Sequence, residues 1–512
     1  MNVILISPGF PAEMPLFTRG LAEVGARVFG VGDTPQGALD PGVRSALSAY
    51  LQVKDLWQEE AVVAEVKRFV GKHTIDRIEC LWEPGMMLAG RMRDAFGVPG
   101  LSAERSLPFR DKEVMKQVLD AAGVRTPHHY RATSVAEVRQ AVERIGFPVI
   151  VKPISGAGSA DTYPVHSQED LEQALKLIRH VPEISVEEYI EGEEFTFDTV
   201  CGSGRRGRDR ILFENVAWYR PKPLISRLNA WINPQAIALR DIEDEAIAIG
   251  RRLGHEVLDA LQFEAGFTHM EWFRTAAGEA IFGEIGGRPP GGRLVHAMNY
   301  SCDIDLFTGW AEAVCWGKLS QETSKKYNAA VVFKRAEGEG IVNRIEGLDA
   351  ILAKYGEHIV NIDLVKVGEP RRDWRKVIVG DGWVVCRHPN LGLTLEIADR
   401  LSTDLRIHAA PRRWSRPPRP SSLDPTVIIA HENRTVCLLG PQRHEPNLGE
   451  VVARLGLSGS FAVVSAGWEE REREVDGLAE HLAPLGRVVP LELSRRTEQL
   501  LTRDTELRDL LA

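Results

Sequence analysis

The chain has 512 residues, too many for one core, and at about 100–200 residues per domain it divides into three or four. Apolar residues make up 44% and charged residues 26%, the balance of an ordinary globular protein. A formal charge of -9 argues against a nucleic-acid or anionic-membrane partner, and no apolar run nears the roughly 20 residues of a membrane span.

The opening "MNVILISPGF" lacks a basic leader and meets Pro8 early, so it reads as a first strand (2–6) rather than a signal peptide. A helical pattern at 16–24, strand "RVFGVG" at 27–32, helix "AVVAEVKRFV" at 61–70 and strand "IDRIECLW" at 75–82 predict a small parallel α/β domain over residues 1–102. Gly25, Gly30 and Gly32 form no clean G-x-G-x-x-G, so this is not a dinucleotide site. The six cysteines are scattered, without a C-x-x-C pair, which argues against a disulfide framework or a structural zinc and for reduced thiols in a cytoplasmic protein.

A second region, 103–327, opens with "FRDKEVMKQVLDAAGVRTP", where Asp111 as N-cap, Gly123 as C-terminal glycine and Pro127 bracket one helix. Ser134 and Glu137 carry capping-box spacing for the next. "FPVIVKPISGAGSADTYPV" (147–165) then poses a choice between a phosphate-holding loop and an ordinary turn. Strand "VIVKP" and strand "DTYPV" flank the small residues, so Ser155, Gly156, Ala157, Gly158, Ser159 and Ala160 cap a hairpin rather than open a helix as in a P-loop. Such a tip can offer successive backbone N–H groups to polyphosphate, with Lys152 on the incoming strand pointing at the same anion; a plain flexible hairpin is the alternative. Helices near 168–179 and 242–260 interrupt a strand-rich stretch, and a small mixed segment runs over 328–408. Residues 409–425, "AAPRRWSRPPRPSSLDP", hold five prolines and four arginines and read as a linker to a short α/β-like domain at 426–512.

Taken in order, "DK", "VKP" with its small-residue loop, "VEEYIEGEE" (186–194), "HMEW" (269–272) and "GEIGGR" (283–288) resemble the ATP-grasp superfamily of carboxylate–amine ligases, which includes biotin carboxylase, D-alanine–D-alanine ligase and L-amino-acid ligases. The resemblance covers roughly residues 1–408. It implies an α/β and α+β multidomain chain with the ATP-grasp fold: a parallel N-terminal domain, a two-lobed ATP-binding core and a small mixed subdomain.

The resemblance also assigns residues. Glu187, Glu188, Tyr189 and Ile190 match the adenine clamp, with backbone groups of Glu188 and Ile190 at the purine edge, and Glu194 matches the carboxylate on the ribose hydroxyls. Lys112 and Lys152 match the two lysines on the α/β-phosphates, whereas Lys116 reads as an exposed lysine. Glu271 and Glu284, on two strands joined by the turn "RTAAGEA", suit Mg²⁺ (or Mn²⁺) shared with phosphate oxygens and water. Gly286 stands where many members have an asparagine, which leaves the number of Mg²⁺ ions open. Arg288 matches an arginine facing the γ-phosphate or an acyl phosphate, and its planar fork suits either anion. Arg293, His296 and Asn299 are expected to line the substrate pocket, near segments 214–223 and 229–235.

The expected activity is ATP-dependent amide formation from a carboxylate and an amine through an acyl phosphate, with Lys152 and Arg288 carrying phosphoryl transfer. The partners are small molecules, with no nucleic acid and no membrane, and the oligomeric state is open, a homo-oligomer included. A biotin-dependent carboxylase subunit and an ATP-binding protein without turnover are the alternatives.

Overall fold

The computed structural model describes residues 1–154, 161–374 and 379–411, together with four backbone strands between 428 and 491. Contacts divide the chain into two units, Met1–Arg412 and Arg413–Ala512.

The first unit begins with β1 (Asn2–Ile6), α1 (Met14–Glu23), β2 (Arg27–Gly32), α2 (Pro41–Ala46), β3 (Ala49–Gln52), α3 (Glu59–Val70), β4 (Arg77–Glu79) and α4 (Met86–Phe96). The strands form a parallel sheet in the order β3-β2-β1-β4. A sheet covered on both faces needs near-continuous apolar strands, and Val3, Ile4, Leu5 and Ile6 are all fully buried. The predicted strand 75–82 shrinks to three residues, because Cys80–Gly85 turns through a short helical loop containing Pro84. Strand order reverses between β1 and β4, and the loops leaving their carboxyl ends, 7–13 and 80–85, flank that point.

Next come α5 (Ala103–Ser106), α6 (Lys112–Ala121), β5 (His129–Ala132), α7 (Val135–Ile145), β6 (Val149–Pro153), β7 (Tyr163–Val165), α8 (Gln168–Leu177) and β8 (Ile184–Glu188). Asp111 caps α6, accepting from the Glu113 and Val114 amides at 3.0 Å each. Ser134 caps α7, but the returning Glu137 carboxylate takes the Thr133 amide (2.6 Å), one residue earlier than a strict capping box. The strands make a four-stranded antiparallel sheet, order β5-β8-β6-β7, with β6 and β7 the hairpin read from the sequence. Its tip, including Ser155, Gly156, Ala157, Gly158 and Ser159, lies outside the described residues.

The remainder is β9 (Glu193–Cys201), β10 (Ile211–Arg220), α9 (Pro223–Leu228), β11 (Gln235–Ala238), α10 (Glu245–Ala260), β12 (Gly266–Arg274), β13 (Ala280–Gly286), α11 (Leu294–Cys302), α12 (Leu306–Trp316), β14 (Asn328–Phe333), β15 (Ile341–Glu346), α13 (Leu348–Tyr355), β16 (Ile359–Leu364), β17 (Gly382–His388), α14 (Leu391–Thr403) and β18 (Arg406–Ala410). One antiparallel sheet runs β13-β12-β9-β10-β11-β14-β17-β16, so it continues across residue 328, and β18 pairs with β15. Helix α10 packs directly onto this sheet. A Cβ at Gly250 would stand 2.1 Å from the Trp272 ring, and one at Gly254 2.1 Å from Phe197, so only glycine lets the helix approach this closely. The Phe195 and Trp272 rings stack beneath it at 4.9 Å.

In the second unit, β19 (Ile428–His431) pairs antiparallel with β20 (Arg434–Cys437), and β21 (Gly459–Val464) pairs parallel with β22 (Gly486–Leu491). Residues 412–427, most of the sequence-predicted linker, lie outside the described residues.

Candidate active site

Helix α6 ties the two antiparallel sheets together through two lysines. Lys112 and Lys116 are four residues apart, hence on one face. Lys112 Nζ lies 2.9 Å from Glu284 Oε1 on β13, and Lys116 Nζ 2.5 Å from Glu187 Oε1 on β8. Lys116 is 1% exposed, which corrects its reading as a surface lysine: the 112/116 spacing carried the signal, but the partner carboxylate is 71 residues away in sequence. Ser185 and Glu187 share a face of β8 with Lys152 on β6, placing Lys152 Nζ 2.8 Å from Glu187 Oε2 and the Ser185 hydroxyl as donor at 2.8 Å. Glu187 is therefore a buried carboxylate between two ammonium groups. Burial opposes its ionisation, but Lys116 and Lys152 outweigh that and hold its carboxyl well below the usual range. Burial brings Lys116 down to about 8 despite Glu187, whereas for Lys152 the carboxylates of Glu187 and Glu284 prevail over burial and raise it.

The other clamp residues sit on the same strand end. Glu188 sends its side chain to Arg125 (3.1 Å), and its amide donates to the His128 carbonyl (2.8 Å). Of the Glu188 backbone groups expected at a purine edge, the N–H is thus already committed. Ile190 is buried, and Tyr189 carries the Lys222 ammonium 5.2 Å from its ring centroid.

Glu271 and Glu284 are direct cross-strand partners on β12 and β13, beside a bulge. Adjacent residues at one register position bring both carboxylates to one place. Burial opposes ionisation of Glu284, and Lys112 with Lys152 more than compensates, lowering its pKa. Glu271 lies 3.6 Å from His269 Nε2, whose Nδ1 is 2.6 Å from the fully buried Asp198. Thr196 (2.7 Å) and Asn215 (3.0 Å) also donate to Asp198. Burial disfavours a charged imidazole, yet the bonds to Asp198 and Glu271 raise His269 to about 9. Glu194 is buried and its carboxyl is pushed well up, first by burial and then by the neighbouring Glu271 charge. The set fits a hard divalent cation: two oxygen donors converge, both partly exposed (35% and 29%), and a lysine ammonium already meets one of them. Among the described residues no group of three or more His, Cys, Asp or Glu side chains forms a cage, and Mg²⁺ commonly completes its shell with phosphate oxygens and water.

Arg288 Nε donates to Glu83 Oε2 at 2.8 Å, and Glu83 Oε1 accepts from Arg110 at 2.6 Å. Glu83 belongs to the N-terminal domain and carries no sequence signal for this role. A Cβ at position 286 would meet Arg288 Cγ at 3.2 Å, so Gly286 leaves the space over which this guanidinium lies. Arg293 stacks 4.3 Å from the Trp383 ring centroid and sits 3.8 Å from Glu13; His296 Nδ1 is 3.7 Å from the same carboxylate. Burial raises Glu13 to about 7 against the pull of Arg293, and burial with the Arg293 charge lowers His296 to about 4.

Asn299 has a structural role: its Oδ1 accepts from the Leu306 amide at 2.8 Å, closing the turn before α12. Asn299→Ala should lower stability by about 1–2 kcal/mol in a urea melt, the cost of one orphaned helix-start amide. Residues 218–222, 231–233 and 235 line a cavity of about 550 Å³ together with Glu194, and Arg293, His296 and Asn299 are not among its walls.

Residues 117–292 match the ATP-grasp domain family. The chain is 28% identical over 262 residues, half of this chain and 60% of the relative, to the L-arginine-specific L-amino acid ligase of Bacillus subtilis. It is 30% identical over 190 residues, 35% of this chain and 50% of the relative, to the D-alanine–D-alanine ligase of Paenarthrobacter aurescens (strain TC1). The chain thus spans half to under two thirds of the length of these relatives. Among solved structures, the L-amino acid ligase from Bacillus licheniformis superposes with a TM-score of 0.64 at 19% identity, covering 79% of this chain and 98% of that one. The N5-carboxyaminoimidazole ribonucleotide synthetase from Thermotoga maritima gives 0.59 at 20% identity, covering 80% and 99%. The fold class expected from the motif order is borne out: residues 117–292 match the ATP-grasp domain family, and the fold is that of the L-amino acid ligase structure.

Proposed function

We propose that this chain is an ATP- and Mg²⁺-dependent ligase that joins a carboxylate to an amine. The observation that carries the reading is the Lys112–Glu284 pair beside the Glu271–Glu284 rung, with the Lys152 and Arg288 charges close enough to act on both carboxylates. The backbone beside Ile190, the Glu194 carboxylate and the two lysines hold the nucleotide. Glu271 and Glu284 hold Mg²⁺, which when bound neutralises phosphate charge. An oxygen of the substrate carboxylate attacks the γ-phosphorus, the bond to ADP breaks, and an acyl phosphate forms. The amine nitrogen then attacks the acyl carbon and loses a proton as phosphate leaves. Lys152 and Arg288 stabilise the charge spread over the transferring group, and little covalent help from protein is required.

Glu13 and Arg293 lie side by side, an acid and a base that complement an α-amino acid's ammonium and carboxylate. The relatives named as ligases of L-amino acids and D-alanine support amino acids as the substrates. A phosphate-release screen of the purified chain with MgATP and amino acids tests this. Release stimulated at least tenfold by amino acids, with hydroxamate trapped when hydroxylamine is present, is the expected result. Release that needs bicarbonate and biotin would mark a carboxylase, and no stimulation by any acid would mark a binding protein.

A further inference from the structure

We infer that the crevice between the carboxyl ends of β1 and β4 is a side-chain subsite selecting a substrate with a large apolar, aromatic group, and that Phe10, Trp57 and Trp82 form its specificity-determining wall. This rests on the ligase reading above.

Open parallel sheets bind ligands outside the carboxyl ends of their strands, where the strand order reverses. Here that point lies between β1 and β4. The loop after β1 supplies Phe10, the loop after β4 supplies Trp82, and the segment after β3 supplies Trp57. Phe10 packs edge-on to Trp82 with centroids 5.5 Å apart, and Trp57 meets Trp82 at 5.4 Å. Two of the three rings are not core: Phe10 is 56% exposed and Trp57 55%, while Trp82 packs partly buried against the sheet's core. Each ring left in water forgoes burial worth about 25 cal/mol per Å².

The same two loops carry the charges that face the reacting groups. Glu13 follows Phe10 by three residues and meets Arg293, while Glu83 follows Trp82 directly and meets Arg288. Three residues span at most about 10 Å, so the aromatic rings and the charged pairs leave the same two loops. His296 Nδ1, facing Glu13, is buried without a hydrogen-bond partner, an orphan that a ligand's polar head would satisfy. A protein partner fits poorly. Stable interfaces bury about 1,200–2,000 Å², far beyond three rings.

The test uses the full chain, calorimetry and phosphate release, with L-phenylalanine and L-alanine as probes in the presence of MgADP and MgATP respectively. L-Phenylalanine should bind at least tenfold more tightly than L-alanine, and Phe10→Ala and Trp57→Ala should each cut that ratio fivefold or more, chiefly through KM rather than kcat. Both positions are exposed, so neither substitution should cost folding; Trp82→Phe, which keeps a ring, should retain most of the preference. Equal affinities, or a ratio unmoved by the substitutions, overturn the subsite. So does a dimer in sedimentation that Trp57→Ala dissolves, which would make a second copy the occupant. Absence of phosphate release with every acid, alongside an intact phenylalanine preference, would defeat the ligase reading while still supporting the subsite.

Discussion

Glu284→Gln should lower MgATP-dependent turnover about a thousandfold, because a metal's charge stabilisation is worth several kcal/mol and the amide is a poor ligand. Glu284 and Glu271 occupy one register position on adjacent strands, so neither can be replaced by a neighbour two residues along without crossing to a new rung. The substitution also leaves the buried Lys112 ammonium facing a neutral amide, so the melting temperature falls as well. Turnover is therefore compared below the melt of the variant, where both proteins are folded. Saturating Mg²⁺ should not restore the rate. A variant that turns over at the wild-type rate would refute the carboxylate pair as the metal site.

Glu187→Gln should destabilise the chain by about 3–5 kcal/mol, since it strips the carboxylate from two buried ammonium groups at once. The pH dependence gives the effect its signature. In the wild type the Glu187 carboxyl lies well below its ordinary 4.5, so its contribution is fully present above that pH and is lost as pH falls below it. The variant lacks this acid-side loss. Lys116, already at about 8 against an ordinary 10.5, drops further once its counter-charge is gone. Between its native value and 10.5 the unfolded chain binds more protons than the folded one, so the stability of the variant rises with pH through that window. Urea melts at pH 7 and pH 9.5 should show the deficit shrinking at the higher pH. A constant deficit would mean that Lys116 stays charged in the fold without Glu187.

Much of the architecture was readable from local pattern. The apolar run at Val3–Ile6, the Asp111 and Ser134 caps and the two strands around "VIVKP" and "DTYPV" depend on neighbours in sequence, and each formed where the pattern put it. The hairpin turn between Arg274 and Ala280 likewise set Glu271 opposite Glu284, because a two-residue side-chain period and a short turn fix register. Ion pairing is another matter. Lys116 read as a solvated lysine because nothing within its helix reveals a partner, and its burial follows from Glu187 on a distant strand. Glu83 and Glu13 were invisible for the same reason: their partners, Arg288 and Arg293, lie 205 and 280 residues along the chain. Asn299 shows the same limit, since the turn its Oδ1 closes with the Leu306 amide is set by how two helices meet. The amino-acid sequence by itself determined the strands, caps and hairpins, since these are set by periodicity and steric limits over a few residues. Tertiary structure alone decided which charges are buried together, because that depends on which distant segments share one low-dielectric space.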